Sequence, residues 1–134
     1  MNDDYQKGIQ YLEVGKMKEA EEAFLKCLSD NPRDAMSHNK LGLVYARLED
    51  YERAQGHFLK ALEIDPKLAH AWNNLGNIAR KEGELERAST YYKEALAVDP
   101  GNLIPQRNLR AVEKHLKWKP SFIQLFRRNK SDKS

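Results

Sequence analysis

The sequence predicts an all-α chain built from three copies of one helical hairpin. Two observations carry this reading. Residues of the same class recur at a constant interval of 34 positions, and within each interval the apolar residues fall at helical spacing. A third, the proline that closes every interval, marks where each copy stops, because proline cannot continue a helix and biases its predecessor away from helical angles.

The copies occupy residues 1–34, 35–68 and 69–102. In the first, Gly8 and Tyr11 lie on the opening helix, Gly15 marks a turn, and Ala20, Phe24, Cys27 and Leu28 form the second apolar face before Pro32. In the second, Leu41, Val44, Tyr45 and Leu48 share a face with Gly42 among them, Glu49 and Asp50 interrupt, and Ala54, Phe58, Ala61, Leu62 and Ile64 run to Asp65-Pro66. The third repeats the scheme with Trp72, Leu75 and Gly76, a turn at Gly83, then Ala88, Tyr92, Ala95, Leu96 and Pro100. Glycine suits those turns because a left-handed helix cap carries no steric cost without a Cβ. Small residues at Gly8, Gly42 and Gly76 and at Ala20, Ala54 and Ala88 let paired helices approach, and the aromatic rings fill the remaining space.

Residues 103–117 keep one more amphipathic period, with Leu103, Leu109, Val112 and Leu116 on the apolar face. They lack the glycine, aromatic and proline of the copies in register, so they read as a capping helix that shields the last apolar surface. The expectation is therefore seven helices followed by a short tail helix. That tail, 118–134, leaves the pattern: Ser121 caps a segment with Phe122, Ile123, Leu125 and Phe126, and Arg127, Arg128 and Lys130 follow.

Composition narrows the function. The chain has 134 residues, 40% hydrophobic and 32% charged, with a mean hydropathy of −0.82. No run approaches the roughly 18 apolar residues of a membrane helix, and the first residues lack the basic and apolar regions of a signal peptide, so a cytoplasmic location is expected. The single Cys27 excludes an internal disulfide framework and a cysteine-based zinc cage. Charge is unevenly spread: residues 1–102 hold 14 Lys and Arg against 18 Asp and Glu, a net −4, and residues 103–134 hold 9 against 2, a net +7. A basic tail on a mildly acidic body follows.

The pattern resembles the tetratricopeptide repeat family, whose 34-residue motif has Trp, Leu, Gly and Tyr in its first helix, Ala, Phe and Ala in its second, and a closing Pro. The third copy matches as Trp72, Leu75, Gly76, Ala88, Tyr92, Ala95 and Pro100, with Ala79 in place of the motif's Tyr. The second matches as Leu41, Gly42, Tyr45, Ala54, Phe58, Ala61 and Pro66, with His38 in the Trp place. The first matches as Gly8, Tyr11, Ala20, Phe24, Cys27 and Pro32, with Asp4 and Lys7 replacing Trp and Leu. The resemblance covers residues 1–102 and implies a right-handed superhelical stack whose first helices line a concave groove.

Residues expected on that groove are Tyr5 and Ile9 from the first copy, Asn39, Lys40, Leu43 and Arg47 from the second, Asn73, Asn74, Asn77 and Arg80 from the third, and Arg107 from the capping helix. The surface would grade from apolar to polar and basic. Asparagine is a poor helix former, yet three crowd one helix, and its amide both donates and accepts, as an extended peptide requires. The basic side chains suit carboxylates. The expected function is a non-catalytic adaptor that binds a peptide segment of a partner protein, one that can carry acidic groups. The rival is a structural or self-assembling protein that joins copies through repeat ends or the tail.

A chaperone-tail clamp is not expected. Family members that use one place Lys and Asn in the first copy, Asn in the second, and Lys and Arg in the third; here Tyr5, Ile9, Lys40, His70 and Asn74 stand there. Neither a cofactor nor a metal is expected. His38, His57, His70 and His115 include no i, i+4 pair, and neither a glycine-rich phosphate loop nor a nucleophile elbow occurs. For the tail residues Trp118, Phe122, Ile123, Leu125 and Phe126 three fates stay open: packing back on the body, docking to a partner or a second copy, and lying on an anionic membrane. The aromatics are too few for a nucleic-acid stacking platform.

Overall fold

Seven helices follow one another in a computed structural model that describes the backbone of residues 3–131 and the side chains of residues 3–118. They are α1 (Asp3–Glu13), α2 (Met17–Asp30), α3 (Ala35–Arg47), α4 (Tyr51–Ile64), α5 (Ala69–Lys81), α6 (Leu85–Val98) and α7 (Leu103–Ser131). Among the described residues there is no strand. Each hairpin (α1/α2, α3/α4, α5/α6) packs on the next, α6 packs on α7, and the first helices touch in turn, α1 with α3 and α3 with α5. The result is an all-α solenoid with the first helices on its inner side.

The turns inside the hairpins close in one way. Gly15 and Gly83 both take φ +80, and Glu49 holds the equivalent place at φ 61. At each, the next residue's amide reaches back to the helix it has left: Lys16 to the Tyr11 carbonyl at 2.8 Å, Asp50 to Tyr45 at 2.9 Å, Glu84 to Ala79 at 2.8 Å. That bond satisfies a carbonyl which the helix end would otherwise leave without a partner.

The closing prolines do more than stop a helix. Their carbonyl oxygens accept a side-chain hydrogen bond from six residues onward: His38 Nε2 lies 3.1 Å from the Pro32 oxygen, Trp72 Nε1 donates to Pro66 at 3.0 Å, and Gln106 Nε2 donates to Pro100 at 2.9 Å. Three chemically different residues thus pin the start of one helix to the loop before it. In the second hairpin Asp34 and Asp50 cap α3 and α4 by accepting from the Ser37 and Arg53 amides. Leu68 and Glu84, their counterparts in the third, make no side-chain cap.

Phe24, Phe58 and Tyr92 are fully buried, each worth about 1.5–3 kcal/mol in apolar transfer. Each presses on the glycine of its own hairpin: a Cβ on Gly8, Gly42 or Gly76 would meet ring carbons at 2.6, 2.8 and 2.5 Å. Cys27 is buried in the place where the other copies carry alanine, and burial raises its thiol pKa. The apolar face of α7 differs from expectation at one end. Val112 and Pro105 are buried and Leu109 and Leu116 pack on the third hairpin, but Leu103 is 67% exposed. Pro105 substitutes for it, tolerated there because a first-turn amide has no helical partner to lose. The helix also continues through Pro120 to Ser131, so the segment expected as a separate tail helix extends α7.

Candidate functional site

The inner side of the solenoid is built by α1, α3, α5 and α7, and its centre is a shallow depression of about 190 Å³. Leu43 and Ala46 of α3, Tyr51 and Phe58 of α4, and Asn74, Asn77, Ile78 and Lys81 of α5 line it. Leu43, Asn74 and Asn77 were expected on this surface. Tyr51 and Phe58 were not, because the sequence assigned only first-helix positions to the groove and these two belong to α4; Ile78 of α5 was not either, because its apolar side chain at helical spacing read as core. A larger cleft of about 380 Å³, lined by Gly83 to Arg87 and Leu116, lies where the α5–α6 turn meets α7 and includes none of the expected residues.

At the N-terminal end, Tyr5 and Ile9 are half-buried against the core, and Tyr5 meets Phe24 edge-on with centroids 5.8 Å apart. Burial, followed by the neighbouring Asp34, raises the Tyr5 hydroxyl pKa. Lys40 is half-buried on α3. Arg47 is exposed and donates from Nη1 to the Leu12 carbonyl at 3.2 Å, which ties α3 to the last turn of α1.

The asparagines behave differently from one another. Asn73 is buried, and its Oδ1 accepts from Asn108 Nδ2 of α7 at 3.1 Å. Asn77 is exposed, yet its Oδ1 accepts from the Tyr92 hydroxyl at 2.7 Å and from Asn108 at 3.4 Å. Two of the three asparagines of α5 therefore dock the capping helix and hold a core ring in place. Asn74 lines the depression. Asn39 is 4% exposed, and its Oδ1 is the buried side-chain oxygen without a hydrogen-bond partner among the described residues. Arg80 and Arg107 are exposed at the C-terminal end. Burial raises the Tyr92 hydroxyl pKa, and Arg80 beside it pulls the other way. Trp118 is 67% exposed; Phe122, Ile123, Leu125 and Phe126 lie outside the residues whose side chains are described.

With two-helix units of 34 residues stacked around such a groove, the comparison with known families is decisive. Residues 33–101 match the tetratricopeptide repeat, and residues 4–34 match it separately. The chain belongs to the tetratricopeptide repeat family. Solved structures with the same fold include the first repeat domain of Spaghetti (RPAP3) bound to the HSP90 peptide SRMEEVD, 23% identical, with a TM-score of 0.80 over 85% of this chain and 90% of that one. The second repeat domain of human RPAP3, in complex with the HSP70 peptide SGPTIEEVD, is 20% identical with a TM-score of 0.76 over 82% and 92%. The Sgt2 repeat domain from Aspergillus fumigatus is 17% identical with a TM-score of 0.82 over 88% and 80%. No curated protein matches the sequence. Among the described residues no helix is long and apolar enough to cross a membrane, and no group of three or more His, Cys, Asp or Glu could hold a metal ion.

Proposed function

We propose that this tetratricopeptide repeat protein is a non-catalytic adaptor that binds a peptide segment of a partner protein along its inner side. The observation that carries the reading is the central depression: an apolar floor of Leu43, Ala46 and Ile78 with the amides of Asn74 and Asn77 and the ammonium of Lys81 at its margin. That arrangement suits one apolar side chain of an extended peptide, with main-chain groups on the amides and an acidic neighbour near Lys81. Lys40, Arg47, Arg80 and Arg107, the charged residues expected on the groove, are all basic, so the local field favours acidic ligands.

Two proteins of the same fold carry peptides ending in acidic residues, which supports a peptide as ligand. This chain places Tyr5, Ile9, Lys40, His70 and Asn74 where those clamp residues are expected, so its ligand differs in what flanks the acidic groups. Apolar contact at Tyr5 and Ile9 replaces the polar grip of a terminal carboxylate.

Affinity is expected near the micromolar range, about −8 kcal/mol, because exposed ion pairs add only about 0.2–1 kcal/mol each. The test is binding to capped peptides that carry an apolar residue beside Asp or Glu, measured by calorimetry. Leu43→Glu and Lys81→Glu are expected to weaken binding tenfold or more, and Leu59→Glu on the exposed face of α4 to leave it unchanged. Equal affinity for all three variants would remove the groove assignment.

A further inference from the structure

We propose that His38 and His57 form a proton-operated joint within the second hairpin, closed while one proton bridges the two rings and opened when each ring brings its own. The positions are informative because the third hairpin fills them with Trp72 and Tyr91, in tilted contact at 6.1 Å. The second hairpin replaces both by histidine and keeps the same anchor, the carbonyl of the closing proline.

The anchor sets the protons. The Pro32 oxygen can only accept, so His38 Nε2, 3.1 Å away, carries hydrogen and the neutral ring presents the lone pair of Nδ1. His57 Nδ1 lies 3.2 Å from that lone pair and therefore donates to it. The ring centroids are 5.4 Å apart with planes 28° from parallel, and the two Nδ1 atoms, at 3.2 Å, are a nearer approach than the centroids. One lone pair remains, on His57 Nε2. The first added proton goes there and leaves the bridge intact, now charge-assisted. The second would set N–H against N–H across 3.2 Å with two like charges, and the rings must part.

The surroundings oppose added positive charge on the pair from its first proton onward. Tyr45 of α3 stacks on His57 at 5.5 Å and Arg53 of α4 sits over the Tyr45 ring at 5.5 Å; burial first, then the Glu21 carboxylate of α2, raise the Tyr45 hydroxyl pKa, and Arg53 pulls the other way. Burial first, then His38 and Arg53, hold the His57 pKa below its ordinary value. Opening would free His38 from Pro32 and loosen the start of α3, the helix that also carries Asn39, Lys40 and Leu43.

The test is a nitrogen-15 NMR titration of the imidazoles in the full chain, from about pH 8 to about pH 4. At the upper end His57 is expected as the Nδ1–H tautomer and His38 as Nε2–H. Acidification is expected to give two steps more than about one pH unit apart, the second with loss of the Tyr45–His57 contact. Both rings as Nε2–H at the upper end, or two independent steps, would overturn the proposal. In a second arm, His38→Trp with His57→Tyr transplants the pair of the third hairpin. Its urea midpoint should fall less than that of the parent chain between about pH 7 and about pH 5, and an equal fall would also overturn it. Should the double variant fail to fold, the tautomers of the parent chain decide alone.

Discussion

Replacing Gly42 by alanine tests the packing account with a sign that helix propensity alone gets wrong. Alanine in a helix interior is better than glycine by about 0.8–1 kcal/mol, so an uncrowded site should gain stability. At Gly42 the new Cβ would lie 2.8 Å from two ring carbons of Phe58 and 3.0 Å from a third. Phe58 is fully buried between helices and has nowhere to swing, so the substitution overpacks the core, at about 1–3 kcal/mol and toward the upper end for a contact this short. The net expectation is a loss of about 2 kcal/mol. Gly56, in the interior of α4, has no atom within 4 Å of its added Cβ, and Gly56→Ala should gain about 0.8–1 kcal/mol. Gly76→Ala should cost the most, since Tyr92 approaches to 2.5 Å and its hydroxyl is held by Asn77. Urea unfolding at constant m separates these outcomes. A Gly42→Ala chain as stable as its parent, or a destabilised Gly56→Ala chain, would refute the close-approach argument.

Three further perturbations follow from local geometry. Glu49 holds a left-handed conformation at φ 61 where the other hairpins use glycine, so Glu49→Gly should raise stability by about 1 kcal/mol in the same assay. Asp34→Ala removes a cap on the Ser37 amide and a 2.7 Å bond from the Ser37 hydroxyl, which is fully buried, and should cost about 2 kcal/mol. Asp50→Ala, which removes a more exposed cap, should cost about 1 kcal/mol. The lowered His57 pKa sets the sign of one pH effect. The unfolded chain binds that proton more tightly, so the contribution is complete above about pH 6.5 and declines as pH falls below it. His57→Gln should flatten the pH dependence of the unfolding midpoint in that window.

The repeat was legible because its signals are covalent and periodic: a glycine facing an aromatic, a proline after each second helix, a fixed interval. Whatever depends on those positions, from the hairpins to the buried rings, could be placed from the sequence. The site was less legible because helical periodicity reports which face a residue occupies and says nothing of what stands opposite. Asn73, Asn74 and Asn77 looked alike as amides on one face, yet two of them bond Asn108 or Tyr92 and only Asn74 and Asn77 line the depression. The partnership of Asn73 with Asn108 could not be read without knowing how α7 lies on α5. His38 looked like a degraded Trp position, and only the 3.2 Å approach of His57 gives it another role. Ser121 read as the cap of a separate tail helix, but α7 runs on through Pro120, losing one amide hydrogen bond there.

The central claim is that the inner side of this solenoid holds another polypeptide. Amide NMR of the full chain, titrated with a capped peptide bearing one leucine between aspartates, tests it most directly. Saturating shifts are expected at Leu43, Asn74, Ile78, Lys81 and their neighbours alone, with Leu25, Leu59 and Lys93 on the second helices unmoved. Shifts on the second helices with a silent inner face would contradict it.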